Sequence, residues 1–133
     1  MPGVKKVLVV EDDRAIREMI VAALAEAGYA VAAARSGAEG LDRCRDFGPD
    51  VVVLDLTMPE VDGFEFLKRR PMIGCDAPVV AMSAAFHKRA IPADVAVDAF
   101  IEKPFAIDKL LDTVAAQTPD GDGGSRRRRM SRN

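Results

Sequence analysis

The stretch VVVLDLTMPEVDG, residues 51–63, decides the fold. Apolar, mostly β-branched residues run without a polar break into Asp55, and the chain then turns through Pro59 and Gly63. A short continuous run of this kind is a strand covered on both faces, because a strand with one wet face alternates polar and apolar positions. The question it raises is why the most hydrophobic strand of the chain ends on an acid.

Working outward, KVLVV (residues 6–10) repeats the pattern, as do PVVAMS (78–83), residues 99–102 and, more weakly, residues 30–34. Helical periodicity fills the gaps between these runs. Asp13 can cap a helix in which Ile16, Met19, Ile20, Ala23, Leu24 and Ala27 share one face, with Gly28 placed as a C-terminal cap. Ser36 and Glu39 form an S-x-x-E capping box for a second helix, carrying Leu41 and Cys44 and closing near Gly48 and Pro49. A short helix over residues 64–70 is expected to stop at Pro71, and Ile107, Leu110, Leu111 and Val114 mark a last helix. Residues 86–98, interrupted by Pro92, are expected to hold one short or broken helix, the fourth of five. Strands alternating with helices require right-handed crossovers, and therefore a doubly wound α/β domain with a five-stranded parallel sheet and helices on both faces.

The 133 residues, 49% of them hydrophobic, suffice for a single core. A formal net charge of -2 gives no global case for binding nucleic acid or membrane, but five arginines and two aspartates fall within residues 119–133. That end, PDGDGG followed by SRRRRMSRN, has no apolar content to bury and is expected to be a disordered basic tail after a domain spanning residues 1–118. Solvation explains the run from Arg126 to Arg129 better than contact with nucleic acid. No apolar stretch approaches the ~20 residues of a membrane span, and Lys5 and Lys6 lead into a run too short for a signal peptide, so a cytoplasmic protein is expected. Cys44 and Cys75 lack metal-type spacing and read as free, partly buried thiols.

In a doubly wound sheet, functional groups collect beyond the C-terminal ends of the strands. Strand one ends in Glu11 and Asp12, strand three in Asp55, strand four in Ser83 and strand five in Lys103. Three carboxylates so placed repel one another and call for a cation, and Mg²⁺ suits a few hard oxygen ligands with an open side. A lysine and a hydroxyl beside an aspartate suit phosphoryl transfer, in which the carboxylate is nucleophile and the cations neutralise phosphoryl charge.

LVVEDD (8–13), VVVLDLTMPEVDG (51–63), VVAMSA (79–84) and FIEKPF (100–105) together resemble the receiver domain of two-component response regulators, in order and nearly in spacing. The resemblance covers residues 4–118 and implies a flavodoxin-like strand order of 2-1-3-4-5, as in single-domain chemotaxis receivers. It implies that Asp55 accepts a phosphoryl group from the phosphohistidine of a sensor histidine kinase or a histidine phosphotransfer protein. Glu11, Asp12, Asp55 and the backbone carbonyl of Thr57 would hold Mg²⁺, and Lys103 would contact the phosphoryl group. The loops at Thr57 and Ala84 would bind its oxygens, while Ser83 and Phe100 would switch together. The change would be read by a protein target on the face of the fourth helix, the fifth strand and the fifth helix. A cis Lys103–Pro104 bond is implied as well.

Two rival readings remain in view. An aspartate-based phosphatase of the haloacid dehalogenase type needs a second acid two residues after the nucleophile, where Thr57 stands. A phosphorylation-independent interaction module would ignore the chemistry, against which the intact Glu11, Asp12, Asp55, Ser83 and Lys103 speak. The resemblance is weakest between Ser83 and Lys103, where the chain is slightly short and Ala96-Val97 replaces the usual Gly-Ala turn. If the chain is complete, it reads as a stand-alone receiver that signals by protein-protein interaction or relay; if it is a fragment, PDGDGG would be the linker to an output domain. The chain would be an enzyme only toward its own phosphorylation and dephosphorylation.

Overall fold

The computed structural model describes residues 3–56, 62–84 and 97–118. Five strands, β1 (Lys6–Val10), β2 (Ala30–Ala34), β3 (Val51–Asp55), β4 (Val79–Ala84) and β5 (Ala99–Lys103), form one parallel sheet in the order β2-β1-β3-β4-β5. The described helices are α1 (Arg14–Glu26), α2 (Gly37–Phe47), α3 (Asp62–Arg69) and α4 (Ile107–Gln117), the last being the helix counted fifth from the sequence. Of the expected fourth helix at residues 86–98, all but residues 97 and 98 lie outside the described residues, as does the expected tail from residue 119 onward.

The continuous apolar strands have the two-sided burial expected of them. Every residue of β3 is buried, and alternate residues divide between two core layers with the period of two that a pleated strand imposes. Leu8, Val10, Val52, Leu54, Val79 and Ala81 meet Cys44 of α2 and Phe66 and Leu67 of α3 on one face. Val7, Val9, Val51, Val53, Val80, Met82 and Ile101 meet Ile20 and Leu24 of α1 and Leu110 and Val114 of α4 on the other.

Two aspartates fasten the strand starts, where parallel ladders leave backbone groups unpaired. Asp50 accepts from the Lys6 N–H through Oδ2 at 2.8 Å and donates its own N–H to Lys6 O at 2.7 Å, clipping β3 to β1. Asp98 repeats the device across β4 and β5, accepting from the Val79 N–H at 2.8 Å and donating to Val79 O at 2.9 Å. Each clip satisfies two main-chain groups with one residue, and each sits at the edge of the sheet opposite the candidate site.

The helix ends follow their sequence signals with two differences. Asp13 caps α1 as expected, its Oδ1 accepting from the Ile16 N–H at 2.9 Å. Ser36 caps α2 by accepting from Glu39 N–H at 3.1 Å, but the return bond of Glu39 goes one residue further out, to the Arg35 N–H at 2.7 Å. Gly48 ends α2 with φ of +64°, the left-handed geometry that a side chain resists. α3 ends at Arg69, just ahead of Pro71 as expected, but the chain does not unwind there. The chain tightens into a 3-10 turn, Arg70–Ile73, with Pro71 in its first turn, where a missing N–H costs nothing, and Gly74 ends it.

Gly63 shows why VVVLDLTMPEVDG ends as it does. A Cβ at this position would lie 2.8 Å from the Asp55 carbonyl oxygen and 3.2 Å from Leu56 Cα, so α3 begins in direct contact with the backbone that carries the acid. Gly63→Ala is expected to push that backbone aside and cost about 1 to 3 kcal/mol, read as a lower chemical-denaturation midpoint. An unchanged midpoint would show that the contact yields freely.

Candidate functional site

β1 delivers the first acids. Its ladder with β2 continues one residue past the strand, Glu11 N–H donating to Ala34 O at 3.0 Å, so the main chain at Glu11 is fixed before it turns into α1. Two further contacts hold that turn. The Asp13 N–H donates to Glu11 Oε2 at 3.1 Å, and Arg17, one helical turn on, donates from Nη1 to Glu11 O at 3.0 Å. Asp13 thus serves as a cap and as a donor to Glu11, while Asp12 remains exposed beside them.

Asp55 ends β3 in register with Met82, and the Leu56 N–H extends that ladder to Met82 O at 2.8 Å. Asp55 and Glu11 are each only 1% exposed, which makes their charges expensive without a partner. Lys103, at the end of β5 and in register with Ala84, supplies one. Its Nζ donates to Glu11 Oε1 at 3.2 Å and lies 3.3 Å from Asp55 Oδ1, joining strands one, three and five through a single ammonium. The Lys103–Pro104 peptide is cis.

Glu11, Asp12 and Asp55 each place a carboxylate oxygen within 4.8 Å of the others. One lysine does not balance three carboxylates. Burial, together with hydrogen bonding and charge repulsion from Asp55, pushes Glu11 up to about 7. Lys103 moves the other way from the expectation for a buried amine: burial opposes its charge, but the pull of Asp55 and Glu11 prevails and its pKa rises. Three oxygen ligands, one of which holds its proton more tightly than a free glutamate for want of a further cation, fit a hard divalent ion such as Mg²⁺.

Ser83 lies one residue beyond the β4 partner of Asp55, and its buried Oγ has no hydrogen-bond partner among the described residues. Such a hydroxyl costs about 1 to 3 kcal/mol, so a ligand oxygen that it could meet would be welcome. Phe100 is not among the clustered acids. It stands opposite Ala81 in β5, half-buried against the core layer of α2 and α3. Ala84 is placed by its backbone as the last residue of β4, and Thr57 lies outside the described residues. Sequence reasoning missed Arg17, whose helical spacing only becomes a contact once α1 folds back over Glu11, and Gly63, whose need for a bare Cα depends on where α3 lands.

The sequence and the fold have counterparts among known proteins. Residues 7–115 match the response regulator receiver domain, and the chain belongs to that family. Receiver domains of this family are signalling domains of two-component systems. The response regulator MprA of Mycolicibacterium vanbaalenii is 38% identical over 125 residues, which are 90% of this chain and 54% of that protein. The chain thus spans about half the length of the curated relatives it matches. Among solved structures, the chemotaxis protein CheY4 of Vibrio cholerae is similar with a TM-score of 0.75 and 32% identity, covering 84% of this chain and 97% of that one. The receiver domain of the hybrid histidine kinase CckA is similar with a TM-score of 0.70 and 30% identity, over 84% of this chain and 97% of that one. No helix among the described residues is long and apolar enough to cross a membrane.

The raised Glu11 pKa has a measurable consequence. Folded Glu11 keeps its proton up to about pH 7, whereas an unfolded glutamate releases it near 4.5, so between these values the folded state binds more protons. Stability of the metal-free protein is therefore expected to fall as pH rises across that window and to level off above it. Thermal melts in chelator should show the decline, and Glu11→Gln should flatten it. An equally steep decline in Glu11→Gln would place its origin elsewhere.

Proposed function

We propose that this chain is a phosphoacceptor receiver in which Asp55 takes a phosphoryl group from the phosphohistidine of a sensor histidine kinase or histidine phosphotransfer protein. The observation that carries the reading is the Lys103 ammonium held between Glu11 and Asp55 at the open edge of the sheet. An ammonium on the carboxylate that is to be phosphorylated already stands where negative charge will accumulate.

Asp55 attacks phosphorus, an O–P bond forms as the N–P bond to the donor histidine breaks, and the imidazole leaves with its electron pair. The product is an acyl phosphate. Lys103 pairs with a phosphoryl oxygen, and the buried Ser83 hydroxyl donates to another, which supplies the partner it lacks among the described residues. Glu11, Asp12 and Asp55, together with the Thr57 backbone carbonyl, would hold Mg²⁺, which supplies charge neutralisation at the phosphoryl oxygens. Water attack at phosphorus later returns the Asp55 carboxylate and inorganic phosphate.

Engagement of Ser83 and Lys103 by the phosphoryl group pulls on the ends of β4 and β5. Phe100, in β5 and only half-buried, is placed to change its packing with them. The face that includes β5 and α4 would then present a different surface to a downstream protein. Incubation with Mg²⁺ and acetyl phosphate, followed by weighing the intact chain, tests the reading. Gain of one phosphoryl group that requires the metal is expected; no gain with any phosphodonor would favour an interaction module indifferent to phosphorylation.

A further inference from the structure

Away from the acidic pocket, the core contains a second cluster of reactive groups. Cys44 on α2 and Cys75, just beyond the 3-10 turn, are free thiols, 6% and 8% exposed, in the same core layer. α2 packs on both α3 and the 3-10 turn, so the two cysteines meet where these elements converge. Arg70 is buried beside them, and its Nη1 donates to Cys75 O at 2.9 Å and to Ala77 O at 2.8 Å. The largest influence on each thiol is the other. Hydrogen bonding to Cys44 and, against the effect of burial, the charge of Arg70 bring Cys75 down to about 7. Hydrogen bonding to Cys75 and burial push Cys44 up. A guanidinium fixed on the backbone of Cys75 favours a thiolate there, with a second thiol in the same core layer.

We propose that Cys44 and Cys75 form a redox site that closes to an intramolecular disulfide under hydrogen peroxide, tying α2 to the segment that follows α3. The Cys75 thiolate attacks the peroxide, forming an S–O bond as the O–O bond breaks, and the departing hydroxide takes up a proton to become water. Cys44 then attacks the Cys75 sulfur; the S–S bond forms, the S–O bond breaks, and the oxygen leaves as water with the Cys44 proton. Two thiols are oxidised and one peroxide is reduced to two waters, while a dithiol reductant reverses the change. The site uses no residue of the acidic pocket and stands independently of phosphorylation at Asp55.

The test treats the full chain with equimolar hydrogen peroxide, blocks remaining thiols under denaturing conditions, and maps the peptides. Expected are the joint loss of both alkylatable thiols, a monomeric chain with the two cysteine peptides linked, recovery of both thiols with dithiothreitol, and a higher thermal midpoint when oxidised. Cys44→Ser should trap a sulfenic acid at Cys75, detectable with dimedone, and Cys75→Ser should leave Cys44 unreacted. Two thiols still alkylatable after peroxide, a linkage found only between chains, or oxidation of Cys44 in Cys75→Ser as fast as in the parent would each overturn the proposal.

Discussion

Asp55→Asn is expected to abolish phosphoryl incorporation and, in metal-free buffer at about pH 8, to make the folded chain more stable, by on the order of 1 kcal/mol. The first effect follows from chemistry, since an amide of the same shape cannot form the acyl phosphate. The second follows from the electrostatics of the pocket. Asp55 contributes to the raised pKa of Glu11 through both a hydrogen bond and its charge, and its removal lets Glu11 ionise beside a lysine that still donates to it at 3.2 Å. Only one buried acid then shares the ammonium. Intact mass after acetyl phosphate and a thermal melt in chelator check the two halves. A less stable Asp55→Asn would mean that the Asp55–Lys103 pair outweighs the repulsion between the acids.

Lys103→Met should have the opposite effect on stability. It leaves Glu11 and Asp55, both nearly fully buried, without the cation that bridges them. Breaking a buried pair by deleting one partner costs about 3 kcal/mol or somewhat more, and the 20% residual exposure of the Lys103 side chain places this case at the lower end. Saturating Mg²⁺ should recover much of that loss by restoring positive charge. The rate of phosphorylation should fall by about 10²-fold or more, because the ammonium no longer offsets charge on the phosphoryl oxygens. Denaturation midpoints with and without Mg²⁺, and initial rates of mass gain, separate the two roles. A stability loss with an unchanged rate would make Lys103 a structural counterion only.

These expectations rest on parts of the molecule that were unequally visible in the sequence. The sheet was legible because each buried parallel strand must be apolar on both faces, and VVVLD and KVLVV state that directly. The candidate site was legible because Glu11, Asp12, Asp55 and Lys103 stand at or just past the end of a strand, and parallel strands bring their C-terminal ends to one edge whatever the loops do. What a one-dimensional reading does not contain is contact between elements distant along the chain. The Glu11–Lys103 bond spans 92 positions, and it changes Lys103 from a ligand for Asp55 alone into a bridge between two acids. The clips made by Asp50 and Asp98 look like ordinary turn residues until the strands pair. Pro71 marks the end of α3 as its missing donor requires, but nothing in the sequence shows that the chain tightens there into a 3-10 turn, whose first turn asks for no donor. Cys44 and Cys75 give no motif at all, and only the packing of α2 on the turn after α3 brings them together.

Chemical trapping of the acyl phosphate shows whether the phosphoryl group resides on Asp55. The chain is phosphorylated with acetyl phosphate and Mg²⁺, reduced with borohydride and digested, and the peptide containing β3 is sequenced by mass spectrometry. Conversion of position 55 to homoserine, dependent on Mg²⁺ and absent from unphosphorylated chain, is predicted. A phosphoryl group mapped to any other side chain, or a β3 peptide that keeps its aspartate after the intact chain has gained mass, would rule out Asp55 as the phosphoacceptor.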